Sequence, residues 1–262
     1  MNIPFTKAHG ARNDFLLTWR EHLPSSFDAS AAAIAICDRH TGVGADGWLL
    51  ISPSRPADIA IELWNSDGSR SEMSGNGTRC AAACVVEGNP GFQEVSVLTG
   101  AGLKQLRLLE RSGQRYSFEM NMGSAKIQEL RTGVLDYDAT ILNVGNPQCA
   151  VFVEHFDFDW RALGAAIERH WLFPHRTNVS FIKKIDEHSL DVRFFERGAG
   201  ETMSSGTGST GAGAAALARG LVLNPVRVLT PAGPLDLRWE NEDILLTGPA
   251  EIVASGEFYW DA

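Results

Sequence analysis

Ser74-Gly75-Asn76-Gly77-Thr78-Arg79-Cys80-Ala81-Ala82-Ala83 carries a pattern that recurs: Ser205-Gly206-Thr207-Gly208 leads into Ala212, Ala214, Ala215 and Ala216. A small hydroxyl residue, then Gly-x-Gly, then strong helix formers describes a tight turn into a helix whose first N–H groups are free to hold an anion. Two such ends point to one carboxylate gripped from both sides. At the offset of 131 residues other landmarks fall into register, Asn65 on Glu196 and Gly47 on Asn178, so the chain reads as an internal duplication.

Around this stretch, strands read at Ile3 to His9, Gly47 to Ser52 and Asp58 to Trp64, the last alternating Ile59, Ile61, Leu63 against Asp58 and Glu62. A short helix reads at Ala31 to Cys37 with Ser30 as its cap. Hairpin strands fill Glu94 to Met122, and Gly123 to Leu135 reads as a linker. The second half repeats the plan: strands near Thr140 to Val144 and Ala150 to Val153, a helix around Trp160 to Arg169, then strands Asn178 to Lys183 and Leu190 to Glu196. After the helix Thr207 to Arg219, four short strands run from Val226 to about Val253. The long helix of each half is almost wholly small and apolar, which predicts burial on all sides. The expectation is an α+β fold of two similar pseudo-symmetric domains, each a strongly curved, mostly antiparallel sheet around a central buried helix. The expected boundaries are 1–122 for the first lobe, with 257–262 as its candidate completion, and 123–256 for the second.

The formal net charge of −9 disfavours a nucleic-acid surface, which relies on clustered Lys and Arg that the sequence does not show. No apolar run approaches a bilayer span, and the first residues lack a secretion-signal layout, so the expected partner is a small molecule and the expected location cytoplasmic. Neither nucleic acid nor membrane is an expected partner, and a homodimer stands open beside a monomer. The four cysteines, Cys37, Cys80, Cys84 and Cys149, form no CxxC pair and read as small buried residues. The histidines include no HExxH, so no metal is expected.

Gly206-x-Gly208-x-x-Gly211 matches a dinucleotide fingerprint in letters only. The preceding strand ends well before the glycines, no acidic residue closes a following strand, and the first copy carries Cys80 at the third glycine. Neither turn carries a P-loop lysine, so a nucleotide cofactor is not expected. Either turn alone reads equally well as a plain N-cap. Asn13, Asn65, Asn146 and Asn178 stand at turns or strand ends, where polar side chains converge on ligands or simply shape the turn. Adjacent Glu196-Arg197 offers a carboxylate and a guanidinium to the two charged groups of an amino acid.

Taken together, Asn13-Asp14-Phe15, Cys37-Asp38-Arg39-x-x-Gly42-Val43-Gly44-Ala45-Asp46-Gly47, Asn65-x-Asp67-Gly68-Ser69, Gly75-Asn76-Gly77-x-Arg79-Cys80, Gly145-Asn146-Pro147, Arg176-Thr177-Asn178-Val179, Glu196-Arg197-Gly198-x-Gly200-Glu201-Thr202, Gly206-Thr207-Gly208 and Thr247-Gly248-Pro249-Ala250-Glu251 resemble the diaminopimelate epimerase family, in that family's order across nearly the whole chain. The resemblance implies a site in an interdomain cleft and stereoinversion of LL-diaminopimelate to the meso form, a step of lysine biosynthesis. It implies no cofactor: one cysteine removes the α-proton and the other reprotonates the opposite face. It places Asn13, Asn65, Asn146, Asn178, Glu196 and Arg197 on substrate-binding positions, and Gly75, Asn76, Gly206 and Thr207 on the helix ends that hold the reacting carboxylate.

Both positions where the family places its cysteines are serine, Ser74 and Ser205, and these become the candidate catalytic residues. A thiol ionises near about 8.5 and an unactivated hydroxyl nearer the value of water, about 15.7. The gap of about 7 units corresponds to about 10 kcal/mol. A helix dipole offers about 0.3–2 kcal/mol, too little to make serine an equivalent base. Three accounts are compatible with this: an epimerase whose cysteines have been deliberately exchanged for serine or whose serine site works slowly, a related isomerase or dehydratase on another amino acid assisted by a carboxylate or water, and a non-catalytic amino-acid binder. Glu72 and Glu201 are the local carboxylates nominated as substitute bases, and Gln148 stands where the family often has histidine.

Overall fold

Ile59, Ile61 and Leu63 are buried while Glu62 faces solvent, and the same alternation recurs at Leu190, Val192 and Phe194; half-buried strands therefore frame both halves. The computed structural model describes residues 1–261. In chain order the elements are β1 (Asn2–Gly10), β2 (Asn13–Trp19), α1 (Ala29–Cys37), β3 (Gly47–Pro53), β4 (Ile59–Asn65), β5 (Arg70–Ser71), α2 (Gly75–Gly88), β6 (Glu94–Thr99), β7 (Gly102–Ser112) and β8 (Arg115–Asn121). They continue with β9 (Lys126–Val134), β10 (Tyr137–Asn143), β11 (Pro147–Phe152), α3 (Trp160–Glu168), β12 (Asn178–Lys184), β13 (Ser189–Glu196), β14 (Gly200–Thr202), α4 (Gly206–Ala218), β15 (Val226–Thr230), β16 (Gly233–Glu240) and β17 (Asp243–Tyr259).

The chain divides into one unit of Met1–Met120 with the segment from Gly248 on, and a second of Asn121–Thr247. In the first, β2 and β3 are parallel with Phe15 opposite Gly47, and β3 and β4 antiparallel with Gly47 opposite Asn65. Pairings then run β4 to β6 to β7 to β8, and β8 meets β17, which pairs with β1, so this mostly antiparallel sheet closes on itself. The second unit repeats the scheme: β11 and β12 parallel with Gln148 opposite Asn178, β12 and β13 antiparallel, then β13 to β15 to β16 to β17.

Each curved sheet wraps one helix, α2 against β1, β2, β3, β4 and β6, and α4 against β9 through β13, β15 and β16. Both helices are buried because their side chains are too small to hold the strands away. An added Cβ at Gly208 would lie 2.7 Å from Phe194 Cδ1, and one at Gly213 2.5 Å from Leu237 Cδ1. Glycine in a helix interior costs about 1 kcal/mol relative to alanine, so the close approach of sheet to helix is what holds it there. On the outer face α1 packs Ala32, Ala33 and Ile36 with Ile3, Leu16 and Trp48; α3 packs Trp160 and Ile167 with Val179 and Phe181.

Four expectations are corrected. The residue capping α1 is Asp28, which accepts from Ala31 N–H at 3.0 Å, while Ser30 sits inside the helix and donates to Gly68 O at 2.8 Å. The expected linker is β9, whose residues Lys126–Arg131 are all exposed, so no alternation betrays the strand. β2 stands where only a turn is expected after the first strand, because Phe15, Leu16, Leu17 and Thr18 are buried in sequence, a run without alternation. Finally, β17 is one 17-residue strand, and the return to the first unit falls at Gly248, earlier than residue 257. A single strand serves both units because its first part pairs with β16 and its later part with β1.

Candidate active site

In the first unit, β4 ends at Asn65, a turn passes through Gly68 at φ +80°, and Ser74 takes the N-cap of α2. Ser74 is extended, and its Oγ accepts from Gly77 N–H at 3.1 Å, leaving the Gly75 and Asn76 N–H groups without carbonyl partners in the helix. Asn76 is buried; its Nδ2 donates to Asn13 Oδ1 at 3.2 Å and its Oδ1 accepts from Arg79 Nη2. Arg79 is fully buried, donates through Nε to Pro249 O at 3.1 Å, and has no hydrogen bond at Nη1. Burial pushes its pKa down to about 10, so an uncompensated cation still lies under the first turn of α2 at neutral pH. Asn13 Nδ2 donates to Asp46 Oδ2 at 2.7 Å, and Arg39 bridges Asp46 and Asp14. Burial raises the Asp14 pKa, but hydrogen bonds from Arg39 and Lys7 prevail and hold it below the usual carboxylate range.

In the second unit Ser205 caps α4, accepting from Gly208 N–H at 3.0 Å. Its own hydroxyl donates to Glu196 Oε1 at 2.6 Å. Desolvation raises the Glu196 pKa, with the Ser205 hydrogen bond pulling the other way and losing. Asn146 Nδ2 reaches Thr207 Oγ1 at 3.3 Å, the counterpart of the Asn13–Asn76 contact, and Gln148 Nε2 locks Asn146 Oδ1 at 2.7 Å. Asn178 Nδ2 donates to Pro147 O at 3.0 Å and its Oδ1 accepts from Arg197 N–H at 3.0 Å, which fixes the turn after β13.

Within each unit, then, the expected residues gather at one end of the central helix: Asn13, Ser74, Gly75 and Asn76 in the first; Asn146, Glu196, Ser205, Gly206 and Thr207, with Asn178 and Arg197 alongside, in the second. Asn65 bonds Ser69 Oγ at 2.9 Å and not the helix end. Glu196 and Arg197 do not act side by side, since the exposed Arg197 turns to His175 O at 3.2 Å while Glu196 meets Ser205. Neighbouring residues at a strand end point to opposite faces, which separates them. Neither nominated carboxylate touches a serine: Glu201 is held by Arg161 at 2.7 Å, and Glu72 is exposed.

Sequence reasoning passed over two groups, Glu196 as the partner of Ser205 and Arg79 as a buried cation. The offset of 131 held a signal for the first, because it aligns Glu196 with Asn65 and shows that only one copy carries a carboxylate there. Burial pushes the Cys37, Cys84 and Cys149 thiols up to about 12 and Cys80 further, so thiolates are suppressed. Among the described residues no group of His, Cys, Asp and Glu is placed to hold a metal ion, and no helix is long and apolar enough to cross a membrane.

The sequence profile of diaminopimelate epimerase matches residues 5–128 and 140–253. The chain is 38% identical over 275 residues to the diaminopimelate epimerase of Pelotomaculum thermopropionicum, covering 97% of this chain and 98% of that one. It is 37% identical to the diaminopimelate epimerase of Moorella thermoacetica, covering 98% and 99%. In fold it is similar to a probable proline racemase from Agrobacterium radiobacter solved with bound carbonate, at a TM-score of 0.75 and 16% identity, over 99% of this chain and 93% of that one. The matches run through both helix ends described above, and on them the chain belongs to the diaminopimelate epimerase family.

Proposed function

We propose that this protein is a cofactor-independent amino-acid isomerase that binds diaminopimelate and interconverts its LL and meso forms, with Ser74 and Ser205 as the groups presented to the α-carbon. The observation that supports this is the pair of serine-capped helix N-termini, each with free N–H groups and an asparagine at hydrogen-bond distance from the residue at the second helical position. Removing an α-proton throws charge onto the α-carboxylate. Preorganised N–H donors and a helix dipole stabilise charge of that kind in place without reorganising. Asn178 and Arg197 carry the polar contacts for the distal amino-acid end in this reading.

Serine in place of thiol sets the rate. A free alkoxide is out of reach at about 10 kcal/mol above the hydroxyl, so inversion is slow, and any proton removal has to avoid that species. Incubation of the purified chain with LL-diaminopimelate, with the meso isomer read by chiral chromatography, tests the reading. Slow formation of meso product that accelerates in the Ser74→Cys/Ser205→Cys double variant supports it. A double variant that binds the substrate and never inverts it removes the epimerase assignment.

A further inference from the structure

We infer that the two serines are chemically unequal, and that the chain acts as a one-face catalyst that exchanges the α-hydrogen of its amino-acid substrate with retention of configuration, far faster than it inverts it. The inference rests on the proposed reading that an α-carbon is presented to Ser205. It is carried by the 2.6 Å hydrogen bond from Ser205 Oγ to Glu196 Oε1 and by its lack of a counterpart at the other helix end. The residue in register with Glu196 is Asn65, an amide that bonds Ser69. Among the described residues no carboxylate lies within hydrogen-bond distance of Ser74 Oγ, whose side chain accepts from Gly77 N–H. On the same helix the buried cation of Arg79 bonds Asn76 Oδ1, where the second unit has the neutral, buried Thr210. One end is built to hold negative charge and the other to take up a proton.

The step balances without an alkoxide. The Cα–H bond breaks and its proton passes to Ser205 Oγ as the hydroxyl proton of Ser205 moves to Glu196. The electron pair of the broken bond delocalises into the substrate α-carboxylate. Ser205 Oγ is oriented for this, because one lone pair accepts from Gly208 N–H at 3.0 Å and its proton already points at the carboxylate. The raised Glu196 pKa makes that carboxylate a better proton acceptor than an ordinary one. The carbanion is then reprotonated by the strongest acid beside it, protonated Glu196 acting through Ser205, and not by the hydroxyl of Ser74. Before the carbanion collapses, the Ser205 hydroxyl, which holds the substrate-derived hydrogen, and Glu196 both trade protons with solvent, so the hydrogen that Ser205 returns to the same face is solvent-derived. Glu196 is thus a positioning and proton-holding residue that acts through Ser205.

The experiment is incubation with meso- and LL-diaminopimelate in deuterated water, with chiral separation followed by mass analysis of each stereoisomer, alongside calorimetric titration of the same protein. The expected result is deuterium in the recovered starting stereoisomer, accumulating at least about tenfold faster than the epimer forms. Ser205→Ala and Glu196→Gln each lower that exchange by about 10²–10⁴-fold, the span of general base catalysis. Exchange in the unaltered chain rises with pH along an acidic limb that Glu196→Gln lacks, which a merely structural role would not produce. Deuterium confined to the inverted product overturns the inference and leaves the epimerase reading standing. Calorimetric binding with no exchange in either isomer also overturns it and leaves an amino-acid binder. Failure of either compound to bind removes the reading on which it rests.

Discussion

Ser205 Oγ donates a 2.6 Å hydrogen bond to Glu196 Oε1 from the N-cap position of α4. The carboxylate comes from the end of β13, and the capping geometry of the helix brings the hydroxyl to it. Desolvation holds Glu196 above the ordinary carboxylate value of 4.5. That same burial makes the residue a liability for folding.

Glu196→Gln is more stable than the unaltered chain at pH 7. A carboxyl whose folded-state pKa is raised holds its proton longer in the native than in the unfolded chain. Stability therefore falls as pH rises from the unfolded value of 4.5 through the folded one. Glutamine keeps an oxygen for Ser205 and does not ionise. Thermal unfolding followed by circular dichroism checks this: the melting temperatures converge below about pH 4 and the variant melts higher at pH 7.

Arg79→Met weakens anion binding at the first unit. The guanidinium under α2 is buried without a carboxylate, holds Asn76 Oδ1, and leaves Nη1 unbonded, so its charge is available to a ligand carboxylate at the helix end. Its loss raises the Kd for a dicarboxylic amino acid about 10-fold or more by calorimetry. The orphaned Asn76 oxygen costs about 1–3 kcal/mol of stability in denaturant unfolding. An unchanged Kd in a folded Arg79→Met protein contradicts the electrostatic role.

Thiol reagents leave the native protein untouched. Burial pushes Cys37, Cys84 and Cys149 up to about 12 and Cys80 further, so the reactive thiolate is scarce at neutral pH. Titration with a chromogenic disulfide gives four thiols after denaturation and essentially none before it. Rapid labelling of the folded chain counts against this arrangement.

Gly208→Ala loosens the second helix end. The new methyl would meet Phe194 Cδ1 at 2.7 Å and Ser205 Cβ at 3.0 Å, so the helix or the strand has to shift. Overpacking of this kind costs about 1–3 kcal/mol, visible as a lower denaturation midpoint. The shift also displaces Ser205 from Glu196, so exchange activity falls by more than stability alone explains.

The duplication and both helix ends were legible because Gly-x-Gly after serine is a local signal repeated at a fixed offset. The alternating strands β4 and β13 were legible for the same local reason, a period of two. What escaped reading was either non-periodic or non-local. β9 hides because Lys126–Arg131 are all exposed, and β2 because Phe15 to Thr18 are all buried. β17 hides because its two parts serve different partner strands. At the site, Asn13, Asn76, Asn146 and Thr207 were readable from motifs. The Glu196–Ser205 bond was not, since it depends on where β13 stops relative to α4, and Glu201 lies nearer to Ser205 in sequence. Arg79 was quoted within a motif, yet its burial without a counter-charge is a property of packing that composition does not express.

In the proposed reading the serine-capped helix ends hold an amino acid carrying two charged ends, and calorimetric titration of the purified chain with meso-diaminopimelate measures this. Saturable binding with a Kd below about 1 mM is expected, weakened in Arg79→Met and in Asn178→Ala. No saturable heat up to about 10 mM ligand would contradict it.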